Sequence, residues 1–190
     1  DVPPDAVDAR GGRWRPGPGE ALFLSLAHRL GSLPLVAEDL GETGEDVAEV
    51  RDELGLAGMC VPQFAFDGDH HNPFLPRNHV ANRVAYTGTH DNDTTLGWYS
   101  HLDADSAARV DLYLGATASG MPEALIRAAL GSVARLAIVP VQDLLALSSE
   151  ARLNTPGTTS GNWTWTLSPG SLSASLARRY AGLNAVYGRA

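Results

Sequence analysis

The chain has 190 residues, 44% of them hydrophobic, which is enough to bury the core of one ordinary domain. A formal net charge of -8 and a sequence pI near 5.1 argue against nucleic-acid binding, which depends on clustered lysine and arginine. The single cysteine, Cys60, excludes an internal disulfide framework, and its apolar neighbours predict a buried, unreactive thiol. The sequence shows neither a leader nor a run of roughly 18 apolar residues, so we expect a cytoplasmic protein that does not bind membranes.

The first part of the chain predicts a loop, a helix, a strand and a second helix. Residues 1–19 are rich in proline and glycine and predict an irregular loop, whereas residues 20–30 carry apolar side chains at helical spacing. The apolar run 33–37 predicts a strand. Residues 43–46 resemble a capping box, and Gly55 is a suitable C-terminal stop for the helix that follows it.

Three further apolar runs, over 59–66, 84–86 and 136–141, predict strands, and helices are expected over 105–114 and from Pro122 onward. Short apolar strands that alternate with amphipathic helices indicate the α/β class with a parallel sheet. About four strands are recognisable, whereas a closed (β/α)8 barrel needs eight. The chain is therefore expected to be an open sheet or part of a larger barrel.

Polar side chains follow each predicted strand. They are Glu38 and Asp39, Gln63, His90 and Asp91, and Gln142 and Asp143. Barrels and open parallel sheets both place their active sites at the carboxyl ends of the strands. The sequence therefore predicts an acidic site at that edge of the sheet.

Six segments of the sequence are distinctive: AEDLG at 37–41, QFAF at 63–66, NPFLP at 72–76, YTGTHDNDTTLGW at 86–98, PVQD at 140–143 and SGNW at 160–163. With these segments in this order, the chain closely resembles, from about Gly12 onward, the amylomaltase family, the 4-α-glucanotransferases of the α-amylase superfamily. The resemblance implies that residues 1–190 are the C-terminal half of a (β/α)8 TIM-type barrel, with about four βα units and no second domain. It also implies cleavage of an α-1,4 bond in a maltooligosaccharide and transfer of the glucan to the 4-hydroxyl of another sugar.

The resemblance assigns roles to particular residues. Glu38 matches the general acid/base, Asp91 matches the carboxylate that stabilises the transition state, and His90 matches a residue that binds a sugar hydroxyl. A carboxyl group under an apolar strand end, as expected for Glu38, can keep its proton near neutral pH. Further side chains suited to sugar faces and hydroxyls are Gln63, Phe64, Trp98 and Asn154. No cofactor and no metal ion is implied.

The chain departs from the family pattern in its nucleophile. The motif that carries this residue aligns just upstream of residue 1, and no aspartate of this sequence takes its place. A retaining transfer needs a nucleophile as well as an acid/base. We therefore expect the 190 residues to be inactive alone. Their expected partners are the N-terminal half of the same enzyme and an α-1,4-glucan as donor and acceptor.

Other interpretations of the same residues stay open. Glu38 and Asp39 can cap a loop, with Asp39 favoured as a structural hydrogen-bonding partner, and Asn92 and Asp93 fit a turn. Trp163 and Trp165 alternate as on a strand and suit either sugar stacking or core packing.

Two alternative functions also remain. His90 and Asp91 can bind a divalent metal with His70 or His71, as in a metal-dependent phosphohydrolase, although a solvated loop is favoured for Asp67, Asp69, His70 and His71. The chain can also be a non-catalytic glucan-binding or complementing fragment.

Overall fold

The computed structural model describes residues 1–41 and 45–189 and contains two compact units, Asp1–Leu56 and Ala57–Ala190. In the first unit, residues 1–19 contain no helix or strand, as predicted. Helix α1 (Glu20–Leu30) has the predicted bounds, and helix α2 (Glu45–Glu53) is followed by Gly55 in the left-handed region. Thr43 and Gly44 of the predicted capping box lie outside the described part of the chain.

The predicted strand over 33–37 is wrong. Only Val36 forms an isolated bridge, and the side chains of Leu35 and Val36 are more than 40% exposed. Pro34 lies inside this run and has no N–H group to donate to a strand ladder. The apolar composition of the run therefore does not produce a continuous strand.

The second unit contains a parallel sheet, which confirms the α/β class. Strands β1 (Gly58–Cys60), β2 (Arg83–Tyr86) and β3 (Leu136–Ile138) pair in the order β1-β2-β3. The predicted strand from Met59 is shorter than expected because Pro62 begins a 3-10 turn over Pro62–Phe64. The site region follows β2, the central strand.

The described part of the second unit contains five α-helices. They are α3 (Thr95–Ser100), α4 (Ala104–Leu114), α5 (Glu123–Gly131), α6 (Val141–Leu144) and α7 (Ala174–Val186). Helices α4 and α5 were expected from the sequence. Helix α4 starts where the Asp103 side chain accepts a hydrogen bond from the Ser106 N–H, and it ends at Gly115 in the left-handed conformation. The Ser173 hydroxyl caps α7 in the same way by accepting from the Leu176 N–H.

The core of the second unit consists of apolar side chains from the strands, loops and helices. One cluster centres on Phe66, Val110 and Leu125, and another joins Ile126 and Leu130 to Leu183 of α7. The Cys60 thiol is buried, as predicted. No helix within the described residues combines the length and apolar character needed to span a membrane.

Candidate active site

A tight turn carries the central acidic residue. The turn follows β2, and its geometry is set by the Asn92 side chain, whose Oδ1 accepts hydrogen bonds from the Thr89 N–H at 2.9 Å and the Thr89 hydroxyl at 2.8 Å. The Asp91 N–H donates to the Thr89 hydroxyl oxygen at 3.2 Å. The prediction that Asn92 is a turn residue is therefore confirmed, and the turn presents His90 and Asp91 at the carboxyl edge of the sheet.

Three predicted site residues come together at this turn. The Asn154 amide donates to Asp91 Oδ1 at 2.5 Å, and His90 Nε2 lies 3.4 Å from the same oxygen. The Asp91 side chain is 41% exposed, and its second oxygen, Oδ2, accepts no hydrogen bond from any described residue. One carboxylate oxygen is thus held in place, while the other is available to a ligand.

Arg152 joins the Asp91 turn to the segment that carries Asn154. Its guanidinium donates to the Asp91 carbonyl at 2.7 Å and to the Asn154 carbonyl at 2.8 Å. The Asn154 N–H in turn donates to the His90 carbonyl at 3.1 Å. These bonds fix two segments that lie about sixty residues apart in the chain. The sequence analysis did not identify Arg152, because no local pattern marks its role.

A second carboxylate lies beneath the turn. Asp143 is 1% exposed, and it accepts hydrogen bonds from the Thr87 hydroxyl at 2.5 Å, the Thr95 N–H at 2.7 Å and the Thr95 hydroxyl at 2.8 Å. Burial raises the pKa of Asp143 above its ordinary value, while the bonds from Thr87 and Thr95 oppose this shift. At 1% exposure and with three internal donors, Asp143 supports the site.

Gln63 also supports the turn. Its side-chain amide donates to the Thr87 carbonyl at 2.9 Å and to the Asp93 carbonyl at 3.0 Å, and the residue is buried. Both amide hydrogens are therefore used internally. Sugar binding by Gln63 stays a prediction that rests on its remaining amide oxygen.

The two predicted aromatic residues occupy different surroundings. Phe64 is 47% exposed and meets Phe74 edge-on, with ring centroids 5.7 Å apart. Trp98 is partly buried and packs on Phe66, with ring centroids 6.0 Å apart. Phe64 is therefore partly open to solvent, whereas Trp98 contributes to the hydrophobic core. The predicted role of each in sugar binding remains a prediction.

Asp93 has a structural role in the same loop. Its carboxylate accepts hydrogen bonds from the Ser149 hydroxyl at 2.7 Å and from the Thr94 N–H at 2.8 Å. The Thr94 hydroxyl caps α3 by accepting from the Gly97 N–H. Asp93 therefore links the turn, the start of α3 and the segment around Ser149, in agreement with its prediction as a turn residue.

Gly97 lies against this cluster and tests how tightly it is packed. A Cβ atom on Gly97 would lie 2.5 Å from Asp93 Oδ1 and closer still to Ser149 Oγ. We expect Gly97→Ala to lower the free energy of unfolding by roughly 1 to 3 kcal/mol because the cluster must shift. Urea denaturation would measure the loss. Gly182→Ala in α7 is the matched control, since nothing lies within 4 Å of its Cβ position. Equal stability of the two variants would contradict the tight packing.

The first unit carries Glu38 and Asp39. The Glu38 side chain is exposed, in contrast to the covered position expected for it at a strand end, since no strand forms over the preceding residues. Asp39 is 7% exposed and accepts a hydrogen bond from the Arg51 guanidinium at 2.5 Å. Its prediction as a structural partner is confirmed. The predicted meeting of Glu38 with Asp91 around one sugar ring stays a prediction.

The acidic loop after β1 is organised by its own hydrogen bonds. Asp67 accepts from the Asp69 N–H and the Asn72 amide, and these bonds lower the pKa of Asp67. Asp69 accepts from the His71 N–H. Across residues 1–41 and 45–189, no three His, Cys, Asp or Glu side chains converge as metal ligands would. The described geometry therefore gives the metal-dependent alternative no support.

The chain is thus an α/β protein in which the Asp91 carboxylate, bound by Asn154, lies at the carboxyl edge of a parallel sheet. The family model for 4-alpha-glucanotransferase matches residues 1–173. The chain belongs to this family, as the motifs in its sequence predicted.

Known relatives are considerably longer than the chain. It is 47% identical to a 4-alpha-glucanotransferase of Synechocystis, covering 99% of this chain and 38% of that protein. It is 50% identical to a 4-alpha-glucanotransferase of Thermus thermophilus, covering 91% and 36%. Among solved structures, an amylomaltase from Streptococcus agalactiae in complex with acarbose matches with a TM-score of 0.86 and 31% identity, over 93% of this chain and 36% of that one.

Proposed function

We propose that the 190 residues form part of a 4-α-glucanotransferase that moves α-1,4-glucan segments between maltooligosaccharides with retention of configuration. The observation that carries the proposal is the Asp91 carboxylate, held at one oxygen by Asn154 and open at the other, in a chain of this family. The sheet would belong to a (β/α)8 barrel of which the chain supplies the C-terminal half. A cytoplasmic location remains part of the same proposal.

The proposed reaction gives each carboxylate a distinct role. Glu38 protonates the departing glycosidic oxygen while a nucleophilic carboxylate attacks C1, and it then removes the proton from the 4-hydroxyl of the acceptor that displaces the enzyme. Asp91 hydrogen-bonds sugar hydroxyls beside C1 and stabilises positive charge as the ring becomes oxocarbenium-like. The nucleophile would come from the part of the relatives that the chain does not match.

A chimera provides the direct test. The 190 residues would replace the segment that they match in the Thermus thermophilus relative, which is 36% of that protein. The chimera should convert maltotriose into glucose and longer maltooligosaccharides, and the parent enzyme is the positive control. A folded chimera without transfer activity would contradict the proposal.

Glu38→Gln in the chimera is expected to abolish transfer while the fold is retained, because glutamine cannot exchange a proton with the glycosidic oxygen. The rate of glucose release from maltotriose measures the loss, which we expect to be on the order of a hundredfold or more. Glu49→Gln is the control, since Glu49 is an exposed carboxylate in the same unit. Full activity of the Glu38 variant would remove this residue from its role.

A non-catalytic function in glucan binding is the second candidate, and it is favoured by the open oxygen of Asp91, which can bind a sugar hydroxyl without any nucleophile. Mixing the 190 residues with a separately produced N-terminal portion of the Thermus thermophilus relative distinguishes the two functions. Recovered transfer activity indicates complementation, whereas glucan binding without transfer indicates a binding module.

A further inference from the structure

The most exposed aromatic side chain next to the Asp91 turn is Trp163. Its indole is 61% exposed, and it packs on the His90 imidazole with ring centroids 5.2 Å apart and planes inclined by 33°. His90 is the immediate neighbour of Asp91. The indole and imidazole together form an aromatic surface, and the imidazole Nε2 lies 3.4 Å from Asp91 Oδ1.

The backbone holds Trp163 in an unusual conformation. Its φ angle is 60°, in the left-handed region that a bulky side chain rarely adopts. The Trp163 N–H donates to the Leu153 carbonyl at 2.6 Å, one residue before Asn154. The predicted strand alternation of Trp163 and Trp165 is therefore wrong, because Trp163 lies in a turn.

Asn162 fixes the turn that presents Trp163. Its Oδ1 accepts from the Thr155 N–H at 2.9 Å, and its amide donates to the Thr158 carbonyl at 3.2 Å. Asn154, which binds Asp91, and Asn162, which fixes the turn with Trp163, thus belong to one hydrogen-bonded segment. This arrangement places a large apolar ring in solvent at a fixed position, where core packing does not account for it.

We propose that Trp163 and His90 form a sugar-binding subsite in which one face of a glucose residue of an α-1,4-glucan stacks on the indole. The C–H groups on the face of a pyranose are apolar and pack on aromatic rings, while the hydroxyls at the ring edge face polar groups. The His90 ring nitrogens supply polar groups at this surface, and the Asp91 carboxylate, whose Oδ1 lies 3.4 Å from His90 Nε2, supplies another. The inference rests on the proposed function and names a ligand contact for the same site.

Nuclear magnetic resonance of the indole N–H groups tests the subsite on the 190-residue chain. The chain has four tryptophans, so the signal of Trp163 can be assigned by its loss in Trp163→Gly. Titration with maltoheptaose should shift this signal, whereas the β-1,4-linked cellohexaose should shift it much less. Trp163→Gly tolerates the left-handed φ angle, so it removes the ring and retains the backbone conformation.

We expect Trp163→Gly to weaken maltoheptaose binding by about tenfold or more, and Trp165→Phe, the matched control, to leave it unchanged. If the unaltered chain binds maltoheptaose with the Trp163 signal unmoved and the affinity of the variant unchanged, the subsite is wrong and the proposed function is unaffected. If the unaltered chain binds no maltoheptaose, the subsite is also wrong, and the transfer assay of the chimera decides the proposed function separately.

Discussion

Asp91→Asn in the chimera should reduce the rate of maltotriose disproportionation by roughly a hundred- to a thousandfold. Asparagine retains the size of the side chain and an oxygen that can accept from Asn154, but it removes the negative charge that stabilises the transition state. The turnover number should therefore fall much more than the affinity for maltoheptaose or acarbose. Equal losses in turnover and in binding would mean that Asp91 only holds the sugar.

The neighbouring carboxylate supplies the matched control for this experiment. Asp93 is bound by Ser149 and Thr94, so Asp93→Asn should lower the free energy of unfolding by about 1 kcal/mol. Turnover per folded molecule should change little in that variant. A large loss of turnover in Asp93→Asn, with stability intact, would contradict the separate roles of the two residues.

The largest loss of stability is expected for Asp143→Ala. This change leaves the Thr87 hydroxyl and the N–H and hydroxyl of Thr95 without their acceptor, and both threonines are fully buried. Each unsatisfied buried donor costs roughly 1 to 3 kcal/mol, so the free energy of unfolding should fall by about 3 kcal/mol or more. Urea denaturation of the 190-residue chain measures this loss.

Asp143→Asn is the control, because its amide oxygen still accepts one of these hydrogen bonds, and it should lose much less stability than Asp143→Ala.

The unaltered chain and Asp143→Asn should also differ in how their free energy of unfolding depends on pH. Burial raises the pKa of Asp143, so the native state holds the proton more tightly than the unfolded state. This contribution is present in full below the ordinary carboxyl value of 3.8 and is lost as pH rises through the raised native pKa. The stability of the unaltered chain relative to Asp143→Asn should fall over that window. A constant difference would contradict the raised pKa.

The sequence predicted the elements whose signals are local. Apolar spacing predicted α1 with its observed bounds, and the α/β class follows from the same kind of pattern. The strand over 33–37 was wrong because strand formation also needs pairing partners and a continuous set of N–H donors, which Pro34 interrupts. Helix α7 was missed, although Ser173 provides a cap that could have marked its start.

For the site as well, the sequence did not predict the residues whose role depends on the fold. His90 and Asp91 were predicted from motif resemblance and Asn154 from the suitability of its amide for sugar hydroxyls, and the structure brings the three together. Arg152 was not predicted because it acts through backbone carbonyls, which every residue possesses, and its partners are chosen by the fold. The position of Trp163 depends on a left-handed turn that its sequence neighbours do not specify.

The central position of β2 in the sheet separates the Asp91 turn from the edge strand at which further structure can be added. The turn with Asp91 follows β2, which pairs with a strand on each side. In the outer strand β3, Leu136 and Ile138 are 50% and 39% exposed. A strand added beside β3 would pair with its backbone N–H and C=O groups, and an element packed on its face would cover Leu136 and Ile138. Such an addition would leave β2, which carries the Asp91 turn, with the same two neighbouring strands.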